Sequence, residues 1–407
     1  MSKVWETKEM VEICDLITCG VAKKPEYVDD GIPFLSAKNI KKGQVIWNNH
    51  KYISEKMHSE LTKNNKPLKG DILYTRVGSF GEAAVVEEDV EFSVFVSLTL
   101  IKPKPTYVDK YFLKYFLNSD DVKKIAKNSI SGSGVGNLNV GTVRKFRIPL
   151  PPLPQQKQIV AILDKAFAAI DTAKANAEQN LQNAKELFES YLQNVFENNG
   201  DDWEEKRFDD LTLDLLQGIN TATDKTKFSL TGVPILQAKE IGNKELNLAK
   251  CKFISQVDFS NVKLRYKPNL GDILLNNIGY SLGRCIEVDW DFDFTIAWNV
   301  MRVVPNKEFV ISTYLNYGIQ SPNFQKSIWG KTKGADMPFI SKKNISTLTI
   351  SFPKSKEKQK QIVQKLDTLS AQTKKLEAIY TQKTTDLEEM KKSVLQKAFS
   401  GQLNTIN

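Results

Sequence analysis

The chain repeats itself. Ile32-Pro33-Phe34-Leu35-Ser36-Ala37-Lys38 returns 201 positions later as Val233-Pro234-Ile235-Leu236-Gln237-Ala238-Lys239. At the same shift Lys51-Tyr52-Ile53-Ser54 returns as Lys252-Phe253-Ile254-Ser255, and Gly70-Asp71-Ile72-Leu73 as Gly271-Asp272-Ile273-Leu274. Farther on, Gln158-Ile159-Val160 matches Gln361-Ile362-Val363 and Asp164 matches Asp367, now at 203, while Trp5 and Lys8 align with Trp203 and Lys206 at 198. A register that drifts so little marks a tandem duplication, so the fold of one half must serve the other. With 407 residues, each copy has room for a core of its own.

Each copy changes character part-way. Its first part is rich in Gly, Pro, Asn and aromatics, with short β-type runs such as Ala83-Ala84-Val85-Val86 and Phe95-Val96-Ser97-Leu98-Thr99-Leu100-Ile101. Turn signals such as Asp30-Gly31 and Lys69-Gly70-Asp71 bound these runs, and a shorter helical stretch is expected over 111–127. This reads as an α+β globular domain. The second part takes a helical period. Ile159, Leu163, Ala166, Ile170, Ala173, Ala177, Asn180, Ala184, Leu187, Tyr191 and Asn194 alternate at spacings of four and three, the signature of a coiled-coil seam. The second copy repeats it with Ile362, Leu366, Leu369, Thr373, Leu376, Tyr380, Lys383, Leu387, Met390 and Val394. Prolines at 149, 151, 152 and 154, and at 353, precede the two stretches and delimit them.

The expected architecture is therefore two tandem α+β domains, residues 1–153 and 200–354, alternating with two long helices, 154–199 and 355–407. The first helix must leave domain one and enter domain two; the second leaves domain two. If they pair they are antiparallel, and the chain's end returns beside domain one. Forty-two helical residues, 155–196, span about 60 Å. Asn180 and Lys383 would then be polar seam positions that fix register at some loss of stability.

The net charge of +9 suits a polyanionic partner, because cations that neutralise phosphates release condensed counterions. Two similar modules joined by helices suit a double-stranded DNA target that presents the same groove face every turn. Between the copies the frame is kept while polar residues beside it differ: Ser36 becomes Gln237, Asn39 becomes Glu240, Thr75-Arg76 becomes Asn276-Asn277, and Ser79-Phe80 becomes Tyr280-Ser281. Arg, Asn, Gln and Glu are the types that hydrogen-bond base edges, so these positions, with Lys38, Lys239 and Arg284, are candidate readers of two different half-sites. A second candidate surface precedes each long helix. In the first copy it is 131–139, with Ser131, Ser133 and Asn137 followed by Arg144; in the second it is 331–337, with Lys331 and Lys333. Such donors and cations position a duplex through its phosphates. At any one of these positions, drift of an exposed loop is the alternative explanation.

The tandem arrangement, Gly-Asp-Ile-Leu followed by a glycine-containing turn, Ile148-Pro149-Leu150-Pro151-Pro152-Leu153 leading into a helix, and the ending Ser393-Val394-Leu395-Gln396-Lys397-Ala398-Phe399-Ser400-Gly401-Gln402-Leu403 together resemble the specificity subunit of type I restriction–modification systems. The resemblance implies two target recognition domains reading a split DNA target. It also implies paired helices that act as ruler and dock two modification subunits, which methylate adenine with S-adenosylmethionine, and restriction subunits that use ATP and Mg²⁺. On that reading this chain binds no cofactor itself. Ile159, Leu163, Ile170, Leu187, Tyr191, Ile362, Leu366, Leu376, Tyr380 and Leu387 are the expected helix-pair and subunit-interface residues. One departure is Pro154-Gln155-Gln156, where a Glu-Gln pair is usual; the second copy has Lys358-Gln359-Lys360.

Catalytic motifs do not complete. Gly330-Lys331-Thr332 resembles the end of a phosphate-binding loop, but Gln325 holds the place of its first glycine, and Asn137 breaks the pattern begun by Gly132, Gly134 and Gly136. No Asn-Pro-Pro-Tyr or Asp-Pro-Pro-Tyr stretch of an amino-methyltransferase is present, and Asp202, Glu204 and Lys206 are a chance-level echo of a nuclease set. Cys14, Cys19, Cys251 and Cys285, with His50 and His58, match no zinc framework. No apolar run reaches the roughly 20 residues of a membrane span, and residues 1–10 carry Glu6 and Glu9 without an apolar stretch, so a cytoplasmic protein is expected. The competing classes are a self-contained nuclease or methyltransferase and a coiled-coil adaptor. The first would act on DNA alone; the second would not prefer one DNA sequence over a scrambled one.

Overall fold

The computed structural model describes residues 5–20, 25–78, 80–129, 136–197, 200–220, 226–242, 245–334 and 336–403. The chain forms two compact units, Met1–Glu178 with Gln382–Asn407, and Gln179–Thr381. Each unit thus contains one globular domain and parts of both long helices.

In the first unit the apolar run Ile72–Thr75 becomes an inner strand of a four-stranded antiparallel sheet, ordered Cys14–Cys19, Leu98–Pro103, Ile72–Thr75, Ala83–Val85. Every residue of that strand is buried because it has a core on both faces. Ile72 and Tyr74 pack among the helices with Phe112, Leu117 and Ile148, whereas Leu73 faces Leu35, Val94 and Leu98 on the side of a smaller sheet. That smaller sheet is Lys51–Ile53, Ile32–Leu35 and Ser93–Val94, the last pair parallel. The second unit repeats the plan. Thr212–Gln217, Val300–Pro305, Ile273–Asn276 and Cys285–Glu287 form its larger sheet, and Phe228–Ser229, Lys252–Ile254, Val233–Leu236 and Thr295–Ile296 its smaller one. Register is kept as well: Ile101 stands opposite Ile72 and Ile17, and Val303 opposite Ile273 and Leu215.

The helical stretch expected over 111–127 is two helices, Lys110–Leu117 and Asp120–Asn128. The break has a local cause. The Asn118 amide pairs with both backbone groups of Ala83 (3.0 and 2.9 Å), and Ser119 restarts the helix as its N-cap.

The long helices are Leu153–Glu197 and Lys356–Phe399. Each is locked to its domain by a wholly buried glutamine near its start. Gln156 accepts from the Asp109 amide (2.8 Å) and donates to the Tyr107 and Pro151 carbonyls. Gln359 does the same with Ile311, Phe309 and Pro353. Two turns on, Tyr115 donates to Asp164, and Tyr317 to Asp367. The second helix stops before Gly401, which takes φ +75° while the Gln402 amide closes back on the Lys397 carbonyl.

The helices pair antiparallel within each unit. In the first, Ile159 and Leu163 share a core with Leu395 and Ala398, and Asp171 pairs with Lys391 (2.8 Å) and Lys174 with Glu388. Phe399 packs on Phe112 and Phe116, so the chain's end does return to the first domain. In the second unit Phe188, Leu192 and Phe196 share a core with Val363 and Leu366.

The seam departs from its expected register. Ile159, Leu163, Ile170, Ala177 and Ala184 are buried as expected, but beyond them the buried line runs through Phe188, Leu192 and Phe196, leaving Leu187 56% exposed and Asn180 and Asn194 on the surface. On the second helix Leu366 and Thr373 are buried and Ile362, Tyr380 and Leu387 half-buried, whereas Leu376, Lys383 and Met390 are exposed. Their seam neighbours are Glu377, Thr384 and Lys391, each one residue later and half-buried. A helix with 3.6 residues per turn drifts about 20° per heptad from a strict 3.5 repeat, so a rigid four-three count slides off the buried stripe. Asn180 and Lys383 are therefore not register-fixing seam residues, and Leu187 and Leu376 are not part of the helix pair. Tyr191 is half-buried against the second unit's core.

Candidate nucleic-acid interface

The Gly-Asp-Ile-Leu element builds the base of the candidate surface. The Asp71 carboxylate accepts from the Leu68 amide (2.7 Å) and pairs with Lys102, and Gly70 takes φ +92°. Asp272 accepts from the Asn269 amide (2.6 Å) and from a nearly buried Arg302 (2.7 Å). The carboxylate thus closes the turn before the strand in both copies.

At the far end of the strand, four residues expected to read bases are enclosed by the fold. Thr75, Arg76, Asn276 and Asn277 are buried, and their side chains work inside the fold. The Thr75 hydroxyl accepts from the Glu82 amide (3.0 Å). The Arg76 guanidinium donates to the Leu138 and Val96 carbonyls, each at 2.9 Å, clamping two loops together. Asn276 donates to the Ala238 carbonyl (2.9 Å) and to the Ser281 hydroxyl (3.1 Å). Asn277, where the first copy has Arg76, is fully enclosed, and its side-chain amide has no hydrogen-bond partner among the described residues.

Ser36-to-Gln237 and Asn39-to-Glu240 also have a structural meaning. Asn39, almost fully buried, accepts from the Ser36 amide (3.0 Å) and donates to the Ile46 carbonyl (3.1 Å). Buried Glu240 accepts from the Gln237 amide (2.9 Å) in the same place. Asn39 and Glu240 thus satisfy the same backbone donor with different side chains, so the difference between those two belongs to the frame. Ser36 and Gln237 are half-buried beside these contacts.

The remaining described candidates face outward. Lys38, Asn137, Arg144, Lys239, Tyr280, Arg284, Lys331 and Lys333 are exposed. Four are tethered. Arg144 donates twice to the Ile17 carbonyl (3.1 and 2.7 Å), Lys239 to the Lys250 carbonyl (2.9 Å), Lys331 to the Thr347 hydroxyl (2.6 Å), and the Tyr280 hydroxyl to the Asp336 carbonyl (3.5 Å). Ser79, Ser131 and Ser133 lie outside the described residues.

The two candidate surfaces turn out to be one. In the first unit Val77, just past the strand, bridges Asn137 in the loop before the helix Val140–Arg144, and the Leu138 amide donates to the Arg76 carbonyl (2.9 Å). In the second, Ile278 bridges Phe339, the Ile340 amide donates to the Asn277 carbonyl (3.0 Å), and the Gly279 amide to the Pro338 carbonyl (2.8 Å). A third segment joins them: the Arg76 amide donates to the Ser97 carbonyl (3.0 Å), and the Asn277 amide to the Asn299 carbonyl (3.4 Å). Three loops therefore meet at one end of each larger sheet.

At that meeting point the copies differ in outward chemistry. The second unit exposes Tyr280 (87%), Met337 (62%), Trp298 (45%) and Phe339 (39%). The first has Ser79, Val96 and Asn137 at the positions of Tyr280, Trp298 and Phe339. Trp298 and Phe339 stand outside the expected set, which is limited to polar and charged base-readers and Tyr280. The available signal was an aromatic replacing a small or polar residue between copies of one loop.

Among the described residues no group of three His, Cys, Asp or Glu side chains is placed to hold a metal ion, and no helix is long and apolar enough to cross a membrane. Burial pushes the Cys14 and Cys285 thiols up to about 12 and that of Cys251 to about 11, which keeps them protonated and weakly nucleophilic at neutral pH.

Both halves match the family model described as the type I restriction modification DNA specificity domain, over residues 2–183 and 200–384. A putative type I restriction enzyme MjaX specificity subunit from Methanocaldococcus jannaschii is 24% identical across 98% of this chain and 93% of its own. The type I restriction enzyme EcoBI specificity subunit from Escherichia coli is 27% identical across 92% of this chain and 80% of its own. Among solved structures, a chain from work on complex assembly and conformational transition of the type I R-M system aligns with a TM-score of 0.78 at 18% identity, covering 98% of this chain and 99% of that one. The HsdS subunit from Thermoanaerobacter tengcongensis aligns with a TM-score of 0.60 at 18% identity, over 99% and 98% of the two chains.

Proposed function

Because the chain belongs to the family of type I restriction–modification DNA specificity domains, we propose that each of its units reads one half of a split, non-palindromic duplex target through the surface where its three loops meet. One observation carries this reading: on a frame kept in strand order and register, the exposed residues at that meeting point change chemistry between the copies. Tyr280, Trp298 and Phe339 stand against Ser79, Val96 and Asn137. Unlike surfaces on like frames give unlike half-sites. Exposed Lys38, Lys333 and Arg284 supply cations for phosphate contacts, which position a duplex without reading it.

As a specificity subunit the chain is the reader of its complex, not the catalyst. Two modification subunits that methylate adenine with S-adenosylmethionine, and restriction subunits that use ATP and Mg²⁺, are the partners this reading assigns to it. The features retained in both copies support docking of the same partner twice. They are two antiparallel ribbons, Glu6–Glu9 with Arg147–Leu150 and Trp203–Arg207 with Thr349–Pro353, which carry the repeated Trp-Glu-x-Lys at Trp5 and Trp203. The two unbroken helices are the elements assigned to hold the half-sites at a set gap.

Mapping modified adenines across the genome, with and without this gene, tests the reading. The expected outcome is loss of methylation at one two-part motif; an unchanged pattern would refute it. The purified chain incubated with DNA, Mg²⁺ and S-adenosylmethionine should neither cleave nor methylate, and activity of the chain alone would establish the enzyme alternative instead.

A further inference from the structure

We infer that the second unit inserts an aromatic side chain into its half of the target, and that the first unit does not. The inference rests on the reading above that the chain binds duplex DNA, and it starts from the way Tyr280 is held.

Tyr280 is 87% exposed, yet it sits on a turn fixed from every side. Leu282, two residues on, is buried in the unit's main core, and its amide donates to the Gly279 carbonyl (3.0 Å). The Gly283 amide donates to the Asn276 carbonyl (2.8 Å), and the Asn276 side chain to the Ser281 hydroxyl (3.1 Å). The Gly279 amide donates across to the Pro338 carbonyl (2.8 Å). Gly279 and Gly283 take φ +89° and +87°, a conformation that side chains resist, so the turn keeps its glycines to present what lies between them. A rigid turn that pushes a large ring into water loses burial, and within the fold the side chain gains only a long hydrogen bond from its hydroxyl to the Asp336 carbonyl (3.5 Å). A mobile loop would let the ring fold back; this one does not.

The neighbours define the occupant. Met337 and Phe339 are exposed on the loop paired to the turn, and Trp298 on the third segment. Exposed Lys333 and Arg284 lie on the same loops. An apolar tip with cations on its flanks matches a target that is anionic outside and apolar inside. A DNA base step has that character, and apolar or aromatic wedges open such steps in proteins that kink a duplex. Aromatic stacking on a base is also tolerant of sequence, so Tyr280 would act by favouring a deformable step rather than by reading an edge. In the first unit Ser79 takes the place of Tyr280, Asn137 of Phe339 and Val96 of Trp298, and Phe80 on the same turn is half-buried, so among the described residues of that surface no ring is exposed as Tyr280 is.

The full chain bound to its mapped target tests this, using duplexes with 2-aminopurine in place of single adenines in either half. Opening a step raises the probe's fluorescence. The expected result is a rise in one half only, abolished in Tyr280→Ala and kept in Tyr280→Phe, since the ring and not the hydroxyl does the work. Tyr280→Ala should weaken specific binding about tenfold and, because the residue is exposed, leave the melting temperature unchanged. Tight specific binding with no fluorescence change in either half, or a rise that survives Tyr280→Ala, would overturn the wedge and leave the DNA reading standing. Absence of sequence-specific binding by the wild-type chain would sink that reading itself. If Tyr280→Ala binds DNA normally but no longer assembles with the modification subunit, the tip is a protein contact and the inference is wrong.

Discussion

At the scale of single residues, Arg76 shows most sharply how packing overrides residue type. As a side chain among differing polar positions it had every attribute of a guanine reader, and its replacement should then have weakened one half-site alone. Its guanidinium instead spans two loop carbonyls, at Leu138 and Val96, from a buried site. Arg76→Ala is expected to destabilise the first unit by about 3 kcal/mol, since hydrogen bonds from charged donors contribute more than neutral ones and both acceptors stay buried. A melting curve checks this, and an unchanged midpoint with altered specificity would restore the reading role. His58 gives a pH-dependent counterpart. It is buried with Nδ1 2.9 Å from the Ser93 hydroxyl, and burial, with Lys66 adding to it and Glu91 opposing, holds its pKa below the ordinary 6.5. The folded state therefore resists a proton that the unfolded chain accepts. Stability should be full above about pH 6.5 and fall as the pH drops below that value towards the depressed folded pKa. Urea unfolding of wild type and His58→Gln between pH 5 and 7.5 checks the sign: the wild-type slope should shrink in the variant.

At the scale of elements, the two long helices show both what was legible in the sequence and where legibility ended. Their existence, near-limits and antiparallel pairing follow from the repeat, the flanking prolines and a period of about three and a half. The buried stripe did not follow along their whole length, because a fixed heptad count accumulates error on a straight helix. Leu187 and Leu376 were assigned to the seam on that count and are exposed. Leu366→Asp should disrupt the second unit by several kcal/mol, burying an unpaired charge where Leu366 is wholly enclosed, whereas Leu376→Asp should leave thermal stability nearly unchanged. Equal losses in the two variants would contradict the observed register. The reading residues were less legible still, for a related reason. Ile72–Thr75 and Ile273–Asn276 are buried on both faces, so alternation cannot say which way the polar residue that ends each strand points. Residue type said what Thr75, Arg76, Asn276 and Asn277 could bond to; only the packing says that their partners are, where they have any, the chain's own loops.

At the scale of the whole molecule, the duplication separates what holds the protein from what it offers to a target. Buried Asn39 and Glu240 differ in type yet satisfy the same backbone amide, so that difference belongs to the frame. The exposed rings at the three-loop surface do not satisfy a frame amide in this way, and the Tyr280 hydroxyl makes only a long bond to the Asp336 carbonyl (3.5 Å). Two kinds of loss should therefore be separable by experiment. Lys333→Ala or Arg284→Ala, each removing one exposed cation, should weaken binding to all sequences alike and reduce the slope of log affinity against log salt by about 0.9 for each phosphate no longer neutralised. Phe339→Ser should leave that slope in place and relax the mapped motif in one half only, because its counterpart Asn137 belongs to the other unit's surface. Affinity titrations at several salt concentrations, with motif mapping of the Phe339→Ser strain, check both arms. Relaxation in both halves at once would mean that the two surfaces do not read independently, and the split target would no longer follow from the duplicated fold.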